Sequence, residues 1–527
     1  MPGDRFAQDA AKWFQPDGPG VPRLHRDNEV KTYVNADQAY PEMVAAIETA
    51  TGDGHFVYLL NWFLDVELAL VPGKSLGVLP HAANDPPNPP RIGLLNQASS
   101  KGVMVRAMAW DQVFSSANSK DVDFINLLKN GAAILDSTGN AGLPFQNIPI
   151  LSLLAKIPAH FGSQHQKILC VFGEHGLITF CGGLDFNPDR LQANGGGTPL
   201  HDVHCRVRGT AALDLLQVFV QRWNDHPARV ELEKKKKPLL SMKAAPPSAG
   251  PHLVRIGRTL GKDLYSFAQG GERTAREIIL RGILGARRFI YTECQYFIGN
   301  PELEAALLQA LSNGIQHFTA VVTHWRLSDL PTVQKHRREF FRRLKKAGGD
   351  RVRIFARNPD PFPLNPLRAA TFIDPDDPGD KDIKKYTRAF LDGKHPRTYV
   401  HSKTWVMDDE FGVIGSLNSN RRSWSHDSEV CAGFYDESSD KILTYRLAHG
   451  LRIRLWQEHL GMTGKQGETE LADGVASAVH WLAGNRPPGA QVQDYPAEEL
   501  SDKLVPIPIL GPLVNDEALF KAVMDPD

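Results

Sequence analysis

A histidine-x-lysine pattern occurs twice in this chain, each time within the same order of surrounding features. The first copy is His165 with Lys167, and the second is His401 with Lys403. Each follows an apolar segment and a proline-rich segment, and each precedes a glycine turn, an acidic segment and a helical segment. One pair alone would be a weak signal. Two pairs in matching surroundings indicate that a whole domain is present twice, so the fold must bring two copies together.

The segments between these features indicate the fold class. Residues 90–101 and 301–313 are predicted helices, and each is followed by a predicted strand, at 102–111 and 314–325. Strands that alternate with helices are typical of layered α/β packing. A chain of 527 residues is also too long for one compact core. We therefore predict an α/β protein of two similar lobes, each a mixed sheet flanked by helices, packed pseudo-symmetrically around one active site.

Changes in composition mark the borders of the two lobes. Four lysines at 234–237 lead into a proline-rich stretch between the two copies, which is typical of a linker. Residues 1–25 are rich in proline, glycine and aspartate, and we expect them to be poorly ordered. The predicted order is an N-terminal extension at 1–30, a first lobe at 31–230, a linker at 231–252, a second lobe at 253–465 and a C-terminal tail, wrapped on the second lobe, at 466–527.

Charge and hydropathy restrict the class of partner. Lysine plus arginine and aspartate plus glutamate number 60 each, so no overall positive field is available to hold a nucleic acid. The chain shows neither a signal-peptide pattern at its start nor a run of about 18 apolar residues. These features predict a protein without a nucleic-acid partner, cytoplasmic in the producing cell or exported without a cleaved signal peptide. We also expect a monomer. The five cysteines lack metal-ligand spacing, which favours reduced, buried thiols.

The two pairs together suggest phosphodiester chemistry. Residues two apart in a strand share a face, so each imidazole projects with its ammonium group. If the lobes meet face to face, Lys167 and Lys403 can bind one phosphate while one histidine attacks phosphorus and the other protonates the leaving oxygen. Imidazole suits both tasks, because its pKa of about 6.5 keeps both protonation states accessible near neutral pH. The catalytic residues would be His165, Lys167, His401 and Lys403, and we predict no cofactor and no metal ion.

Other side chains near the pairs are candidates for supporting roles. Each catalytic histidine needs a carboxylate on its second ring nitrogen. We assign Asp202 to His165 and Asp427 to His401, with Glu429 as the alternative to Asp427. Polar groups at the glycine turns would face the phosphate oxygens, or they would only satisfy turn backbone groups. The candidate substrate-binding residues are Gly183, Asp185, Asn187, Ser416, Asn418 and Glu429.

The second copy extends into a longer pattern, HxKx4Dx6GSxN. Its fixed residues are His401, Lys403, Asp408, Gly415, Ser416 and Asn418. This pattern resembles the signature of the phospholipase D superfamily. Residues 165–187, 201–207 and 289–297 are similar to the first motif and to segments that accompany the motifs in phospholipases D. The resemblance covers most of residues 40–460.

The resemblance implies roles that spacing alone does not distinguish. His165 would be the nucleophile that forms a phosphohistidine intermediate, and His401 would be the general acid. The first motif departs from the family at Phe172, where the family usually has aspartate. This position lies an odd number of residues after Lys167 and would face away from the phosphate. We therefore predict that the aspartate is structural and that Phe172 replaces it by packing.

Two further expectations concern the strands around the motifs. The interval from His165 to Gly182 is longer than its counterpart, which predicts a longer hairpin turn around residues 173–176. Glu293 and Gln295 are polar residues in an apolar strand, and a buried hydrogen-bond network near the site is the favoured interpretation over direct substrate contact.

The function that the resemblance implies is that of a phospholipase D. Such an enzyme hydrolyses glycerophospholipids to phosphatidic acid and a free head group, and we expect primary alcohols to replace water. The partner would be a phospholipid bilayer, with the proline-rich stretches at 143–154 and 361–367 at the rim of the cleft or packed in the core. Alternatives are a nucleic-acid phosphodiesterase of the same superfamily and a lipid-binding protein with a decayed site. A housekeeping lipid enzyme and a bacterial effector, delivered through a secretion-machinery partner such as the type VI system, both stay open.

Overall fold

One large mixed sheet runs through the whole protein. In the computed structural model, the described residues are 10–79, 91–111, 118–140, 162–191, 200–235, 246–324, 331–357, 399–436 and 446–497. Fifteen strands form this sheet, and two small sheets accompany it within the described residues. Helices cover both faces, so the predicted α/β fold class, a mixed sheet flanked by helices, is confirmed.

The first half of the chain provides the strands His25–Val34 (β1), Phe56–Asn61 (β2), Ala69–Val71 (β3), Lys74–Ser75 (β4), Ile92–Gly93 (β5), Met104–Trp110 (β6), Gly131–Asp136 (β7), Ile168–Gly173 (β8), Gly176–Gly182 (β9), Leu200–His201 (β10) and Val203–Arg208 (β11). Its helices are Ala36–Glu48 (α1), Leu94–Ser100 (α2), Ser119–Leu127 (α3), Ala211–Asp225 (α4) and Arg229–Lys234 (α5). The short strands β3, β4 and β5 form a small separate sheet.

The second half provides the strands His252–Thr259 (β12), Phe289–Cys294 (β13), His317–Val322 (β14), Val352–Arg357 (β15), Tyr399–Val400 (β16), Lys403–Met407 (β17), Phe411–Gly415 (β18), Glu429–Asp436 (β19) and Val492–Asp494 (β20). Its helices are Thr274–Gly285 (α6), Pro301–Ser312 (α7), Pro331–Gly348 (α8), Arg421–Ser425 (α9), Leu447–Leu460 (α10) and Gly464–Glu470 (α11). The predicted helix at 301–313 is therefore present as α7, and the predicted helix at 90–101 is present over the residues of α2.

The strand order of the first half repeats in the second. The first half runs β1-β11-β9-β8-β2-β6-β7 and the second β12-β19-β18-β17-β13-β14-β15, with β20 at the far edge. In each half, the three outer strands of this order are parallel and the others antiparallel. The halves join where β1 pairs with β12 through an irregular register. This join makes the two copies one continuous sheet, although the exact domain borders stay a prediction.

Apolar burial explains why the two halves stay together. One core cluster lies under α4 and α10 and takes strand residues from both halves, with Trp223 and Trp456 fully enclosed. The opposite face carries a separate cluster in each half, under α1 to α3 in the first and α6 to α8 in the second. Because one cluster spans the join, water is excluded from the contact between the halves.

The N-terminal segment differs from our expectation. Residues 10–24 were expected to be poorly ordered, yet Trp13 is fully buried in the second half and stacks on Phe411 with ring centroids 5.3 Å apart. Phe14 meets the same ring edge-on at 5.2 Å. The composition of this segment concealed two aromatic anchors, whose buried area outweighs the local preference for disorder.

The motif aspartate has the structural role that we predicted. Asp408 begins the turn between β17 and β18 with φ of 56°, and its carboxylate accepts hydrogen bonds from the backbone N–H groups of Arg287, Arg288 and Phe289 at 2.8, 2.7 and 3.0 Å. It thereby ties this hairpin to the start of β13.

At the corresponding position, the first half has an aromatic residue in place of the carboxylate. Phe172 is half-buried and stacks on Phe56 of β2 with centroids 5.5 Å apart, and it meets His55 edge-on. The hairpin turn lies at 174–175 between the paired residues Gly173 and Gly176, at the predicted place. The prediction of a longer turn was wrong, because this turn is shorter than the one at 408–410 and the longer strands β8 and β9 account for the interval. Apolar packing therefore makes the contact that Asp408 makes by hydrogen bonding.

We expect Asp408→Ala to lower the free energy of unfolding of the second half by about 2–4 kcal/mol, because three backbone donors lose their acceptor. Urea unfolding followed by tryptophan fluorescence measures this loss. Asp123→Ala, at an exposed position of α3, is the matched control and should stay within about 0.5 kcal/mol of wild type. Equal effects of the two substitutions would contradict the structural role of Asp408.

Candidate active site

The residues before each motif histidine pair with the opposite half of the chain. In one crossing, β10 runs parallel to β16, and the His401 N–H donates to the His201 carbonyl at 2.8 Å. In the other, Gln164 forms a parallel bridge with Ser428, and the His165 N–H donates to the Ser428 carbonyl at 3.0 Å. Both motif histidines are therefore positioned by backbone from the other half.

Each imidazole is oriented by a buried carboxylate from the other half. His165 Nδ1 lies 2.9 Å from Glu429 Oε2, and His401 Nδ1 lies 2.7 Å from Asp202 Oδ2. Both carboxylates are fully enclosed. Because Nδ1 is occupied in each ring, Nε2 is the nitrogen left for substrate.

The two lysines are buried at the start of the motif strands. Lys167 Nζ donates to the His165 carbonyl at 2.9 Å and lies 3.2 Å from Asp185 Oδ2. Lys403 Nζ donates to the His401 carbonyl and to Gln295 Oε1, the latter at 2.9 Å. These bonds hold each ammonium group beside the backbone of its own histidine.

Burial and crowding of positive charge depress the pKa of the four motif side chains. Burial, and then Lys167 and Lys403, hold the pKa of His165 well below its ordinary value. Burial, Lys403, Arg190 and Lys167 do the same for His401. Burial lowers the pKa of Lys403 to about 7, with Lys167 and Arg190 adding to the shift. The same charges act on residues of both motifs, so the two motifs form one centre on which cationic side chains converge, which suits an anion.

Close packing at the glycine turns supports this centre. A Cβ on Gly183 would lie 1.9 Å from Asp202 Oδ1, so only glycine fits there. The counterpart Ser416 donates its hydroxyl to Glu429 and accepts from the Val430 N–H at 3.1 Å. Asp185 Oδ1 accepts from two backbone N–H groups at 62 and 63. Asn418 is buried, and its Oδ1 has no hydrogen-bond partner among the described residues. Asp185 therefore caps a loop as well as contacting a lysine.

The sequence is similar to those of known phospholipases D. A family model described as Phospholipase D matches residues 373–502. The chain is 25% identical to phospholipase D alpha 1 of Carica papaya, over 82% of this chain and 64% of that protein. It is 26% identical to phospholipase D A of Dictyostelium discoideum, over 84% of this chain and 36% of that protein. By sequence, the chain is similar to members of the phospholipase D superfamily.

A solved structure has a similar fold. The phosphatidylserine synthase from Haemophilus influenzae Rd KW20 aligns with a TM-score of 0.50 at 12% identity, covering 90% of this chain and 98% of that chain. This likeness concerns the fold alone. The chain spans less than two thirds of the length of the papaya relative and about a third of the Dictyostelium relative.

The structure corrects our assignment of the carboxylates. We assigned Asp202 to His165 and Asp427 to His401, each within its own half of this phospholipase D-like chain. The structure instead pairs Asp202 with His401, and Glu429 with His165. Distance along the sequence was misleading because the strand ends cross between the halves, which exchanges the carboxylates.

Asp427 contacts no histidine ring in the described contacts. Its carboxylate accepts from the Ser163 N–H at 2.6 Å and forms an ion pair with Arg422 at 2.8 Å. It therefore holds the segment that leads to His165. Asn187 is only half-buried, and its backbone carbonyl accepts from the N–H of Arg190 in the adjacent 3-10 turn. For these two residues the structure favours local structural roles.

Sequence reasoning missed Arg190, a third cation of the centre. Its guanidinium is buried, 3.6 Å from Asp185 Oδ2, and its charge contributes to lowering the pKa of Lys167, Lys403 and His401 after burial. The signal in the sequence was a single arginine shortly after the first glycine turn. One arginine without a repeat in the second copy attracts no attention in a search for duplicated features.

The predicted network around Glu293 and Gln295 is confirmed. Gln295 links Lys403 to the Tyr399 hydroxyl, and Glu293 lies between His201 and His459 at 2.8 and 2.7 Å. Among the described residues, His201, Glu293 and His459 form the group whose side chains could together hold a metal ion. Two ligand atoms on one tetrahedral ion, each bonded at about 2.0–2.1 Å, would lie about 3.3 Å apart. The distances from Glu293 to His201 and to His459 are shorter than this and are those of hydrogen bonds. The three residues therefore fit a hydrogen-bond network.

Several expectations lie outside the described residues. They are the proline-rich stretches at 143–154 and 361–367, together with residues 236–245 of the linker and residues 498–527 of the C-terminal tail. Residues 492–494 of the tail form β20, which pairs antiparallel with β15. Among the helices of the described residues, none combines the length and the apolar character needed to span a membrane. All five cysteines are buried, as predicted, and none forms a disulfide in the structure.

The lowered pKa of Lys403 predicts pH-dependent binding of an oxyanion. Sulfate, which stays a dianion from pH 6 to 9, should bind while Lys403 is protonated and lose affinity by up to about tenfold per pH unit above pH 7. Isothermal titration calorimetry across this range measures the effect.

Lys403→Met should bind sulfate weakly at every pH, without the step near pH 7. Lys31→Met, on the outer surface of β1, serves as the matched control and should keep the wild-type profile. A flat wild-type profile would contradict the assignment of Lys403 to the anion site.

Proposed function

We propose that this chain is a phospholipase D-type phosphodiesterase that hydrolyses glycerophospholipids to phosphatidic acid and a free head group. The observation that carries the proposal is the pair of crossed contacts, His165 with Glu429 and His401 with Asp202. They leave two Nε2 atoms and two ammonium groups in one buried centre. Similarity to members of the phospholipase D superfamily supports the same chemistry.

The proposed reaction proceeds in two steps. His165 Nε2 attacks phosphorus and forms a P–N bond, while the bond to the leaving oxygen breaks and His401 gives that oxygen its proton. In the second step, His401 takes a proton from water, whose oxygen attacks phosphorus and releases His165. A primary alcohol can replace water and gives a phosphatidyl alcohol.

The electrostatics of the site support this order of steps. The low pKa of His165 keeps the imidazole uncharged at neutral pH, and with its proton on Nδ1 toward Glu429, Nε2 is the free nucleophile. A bound phosphodiester would offset the charges of Lys167, Lys403 and Arg190 and so favour protonation of His401. The same cations would stabilise charge on the phosphate oxygens as the transition state forms.

The choice of a lipid substrate is an inference from the relatives and from charge. The curated relatives named above are phospholipases D, and the balance of 60 basic and 60 acidic residues provides no overall field for a nucleic acid. A phospholipid bilayer is thus the proposed partner. Head-group choice and the route of delivery, including a secretion machinery, stay predictions.

We expect wild-type protein to convert mixed phosphatidylcholine, phosphatidylethanolamine and phosphatidylglycerol vesicles to phosphatidic acid in the presence of a chelator. Added primary alcohol should yield phosphatidyl alcohol, because the second step accepts either oxygen nucleophile. Lipid mass spectrometry identifies both products. His165→Ala and His401→Ala should each lower the rate at least about 1,000-fold.

His175→Ala is the matched control, since this exposed histidine lies in the hairpin turn between β8 and β9. It should retain wild-type turnover. A folded wild-type protein that yields no lipid product but cleaves single- or double-stranded DNA would instead support the nucleic-acid phosphodiesterase alternative. Vesicle binding without any turnover would support the decayed lipid-binding alternative.

The roles of the two histidines are distinguishable with a p-nitrophenyl phosphodiester. Its leaving group departs with little protonation, so His401→Ala should still form the covalent intermediate and accumulate it on His165. Base-stable phosphohistidine, mapped by mass spectrometry after rapid quenching, should reach about one per protein chain. His165→Ala should form none, and label on His401 instead would reverse the assigned roles.

A further inference from the structure

A buried cluster lies directly behind the Asp202–His401 contact. We define the His201 cluster as His201, Glu293, Arg357, Glu458 and His459. His201 is fully buried, and both of its ring nitrogens bind carboxylates: Nε2 lies 2.8 Å from Glu293 and Nδ1 lies 3.0 Å from Glu458. Arg357 pairs with Glu458, and His459 donates to Glu293 at 2.7 Å. The cluster joins a first-half strand end to β13, β15 and α10 of the second half.

The cluster also fixes the backbone that carries Asp202. Asn35 donates its side chain to Glu458 at 3.0 Å, and its side-chain oxygen accepts from the Asp202 N–H at 3.1 Å. The Asn35 N–H donates to the Asp202 carbonyl at 2.7 Å. The His201 carbonyl in turn accepts from the N–H groups of His401 and Ser402 at 2.8 and 3.2 Å. Displacement of the His201 ring would therefore move both partners of the histidine–carboxylate contact.

The other crossing has a counterpart built with charges of opposite sign. Arg222 of α4 is buried and pairs with Asp136 at the end of β7. Its guanidinium also donates to the Ser428 hydroxyl at 2.7 Å and to the side-chain oxygens of Gln164 and Gln166 at 3.2 and 2.7 Å. In the first half, a helix cation holds the crossing strand. In the second half, the helix anion Glu458 does so.

We propose that the His201 cluster is a positioning device that holds Asp202 against His401 and thereby sets the general-acid function of that histidine. This inference rests on the proposed function, in which His401 protonates the leaving oxygen. The counterpart around Arg222 would serve His165 in the same way. None of the cluster residues needs to touch substrate, so they are positioning residues.

The charge state of the cluster agrees with this role. Burial alone would lower the pKa of His201, but Glu293 and Glu458 outweigh it, against the opposing charge of Arg357, and raise the pKa to about 9. His201 is therefore a cation at neutral pH, held between two carboxylates. The pKa of His459 is lowered to about 4, chiefly by burial, so this ring is the neutral donor to Glu293.

The first test is a double-mutant cycle with His201→Gln and Asp202→Asn, assayed on two soluble phosphodiesters. One has a p-nitrophenol leaving group and the other a simple alkyl alcohol, which needs the acid. We expect His201→Gln to lower kcat for the alkyl substrate about 10- to 100-fold with little change in KM. For the p-nitrophenyl substrate, kcat should fall less than about threefold, because its leaving group depends little on His401.

In the Asp202→Asn background, His201→Gln should lower kcat for the alkyl substrate by less than about a further threefold. Multiplicative losses in the cycle, or equal losses on both substrates, would overturn the proposal.

A second variant and a matched control address folding. Glu458→Gln keeps the shape of the side chain, and we expect the same pattern as for His201→Gln on the two substrates. Arg452→Met, on the same helix α10, removes a buried ion pair with Asp409 that contacts no member of the cluster. It should lower stability and leave the ratio of the two substrate rates unchanged. If Arg452→Met shifts that ratio as Glu458→Gln does, the cluster has no special role.

A readout independent of turnover separates this inference from the proposed function. With histidine-selective isotope labelling, the NMR titration of His401 should change in His201→Gln in the same direction as in Asp202→Asn. An unchanged His401 titration would overturn the positioning role even in an active enzyme. If the wild-type protein is inactive on both phosphodiesters while the His401 titration still changes in His201→Gln, only the proposed function would be refuted. If the wild-type protein binds one metal ion per chain and His201→Gln loses it, the cluster would be a metal site, and the positioning role would be overturned.

Discussion

The exchange of carboxylates between the two halves is the constraint on which the site depends. Glu429 orients His165 and Asp202 orients His401 across the join, so neither half contains a complete histidine–carboxylate pair. At each crossing, the backbone N–H of the histidine also donates to a carbonyl of the other half, which fixes the position of the histidine backbone. Separation of the halves would leave two buried carboxylates without partners, a cost of several kcal/mol each. The continuous sheet and the shared core therefore keep the chemistry intact.

The two halves share one strand order, but some contacts at corresponding positions differ. Where the second half uses Asp408 to tie a hairpin to β13, the first half packs Phe172 against β2. Where the first half holds a crossing strand with Arg222, the second uses Glu458. Such differences are tolerated because each position needs a contact of suitable size and sign, which several side chains provide.

Much of the fold and part of the site followed from the sequence. The repeated order of strands and helices indicated an α/β protein with two copies of one unit, and the pattern around His401 and Lys403 indicated the superfamily. The structural role of Asp408 also followed, because the pleat of a strand places an odd-numbered offset on the opposite face. Local rules of this kind use spacing along one strand, which a sequence contains in full.

Contacts between strands distant in the chain were not available in this way. The sequence by itself determined which residues carry the imidazole and ammonium groups, and that two such sets exist. Only the tertiary structure decided that Asp202 serves His401, that Glu429 serves His165, and that Arg190 joins the centre. The physical reason is that the two crossing strand ends pair across the join, so partners are chosen by the register of backbone hydrogen bonds between the halves and not by their distance in sequence.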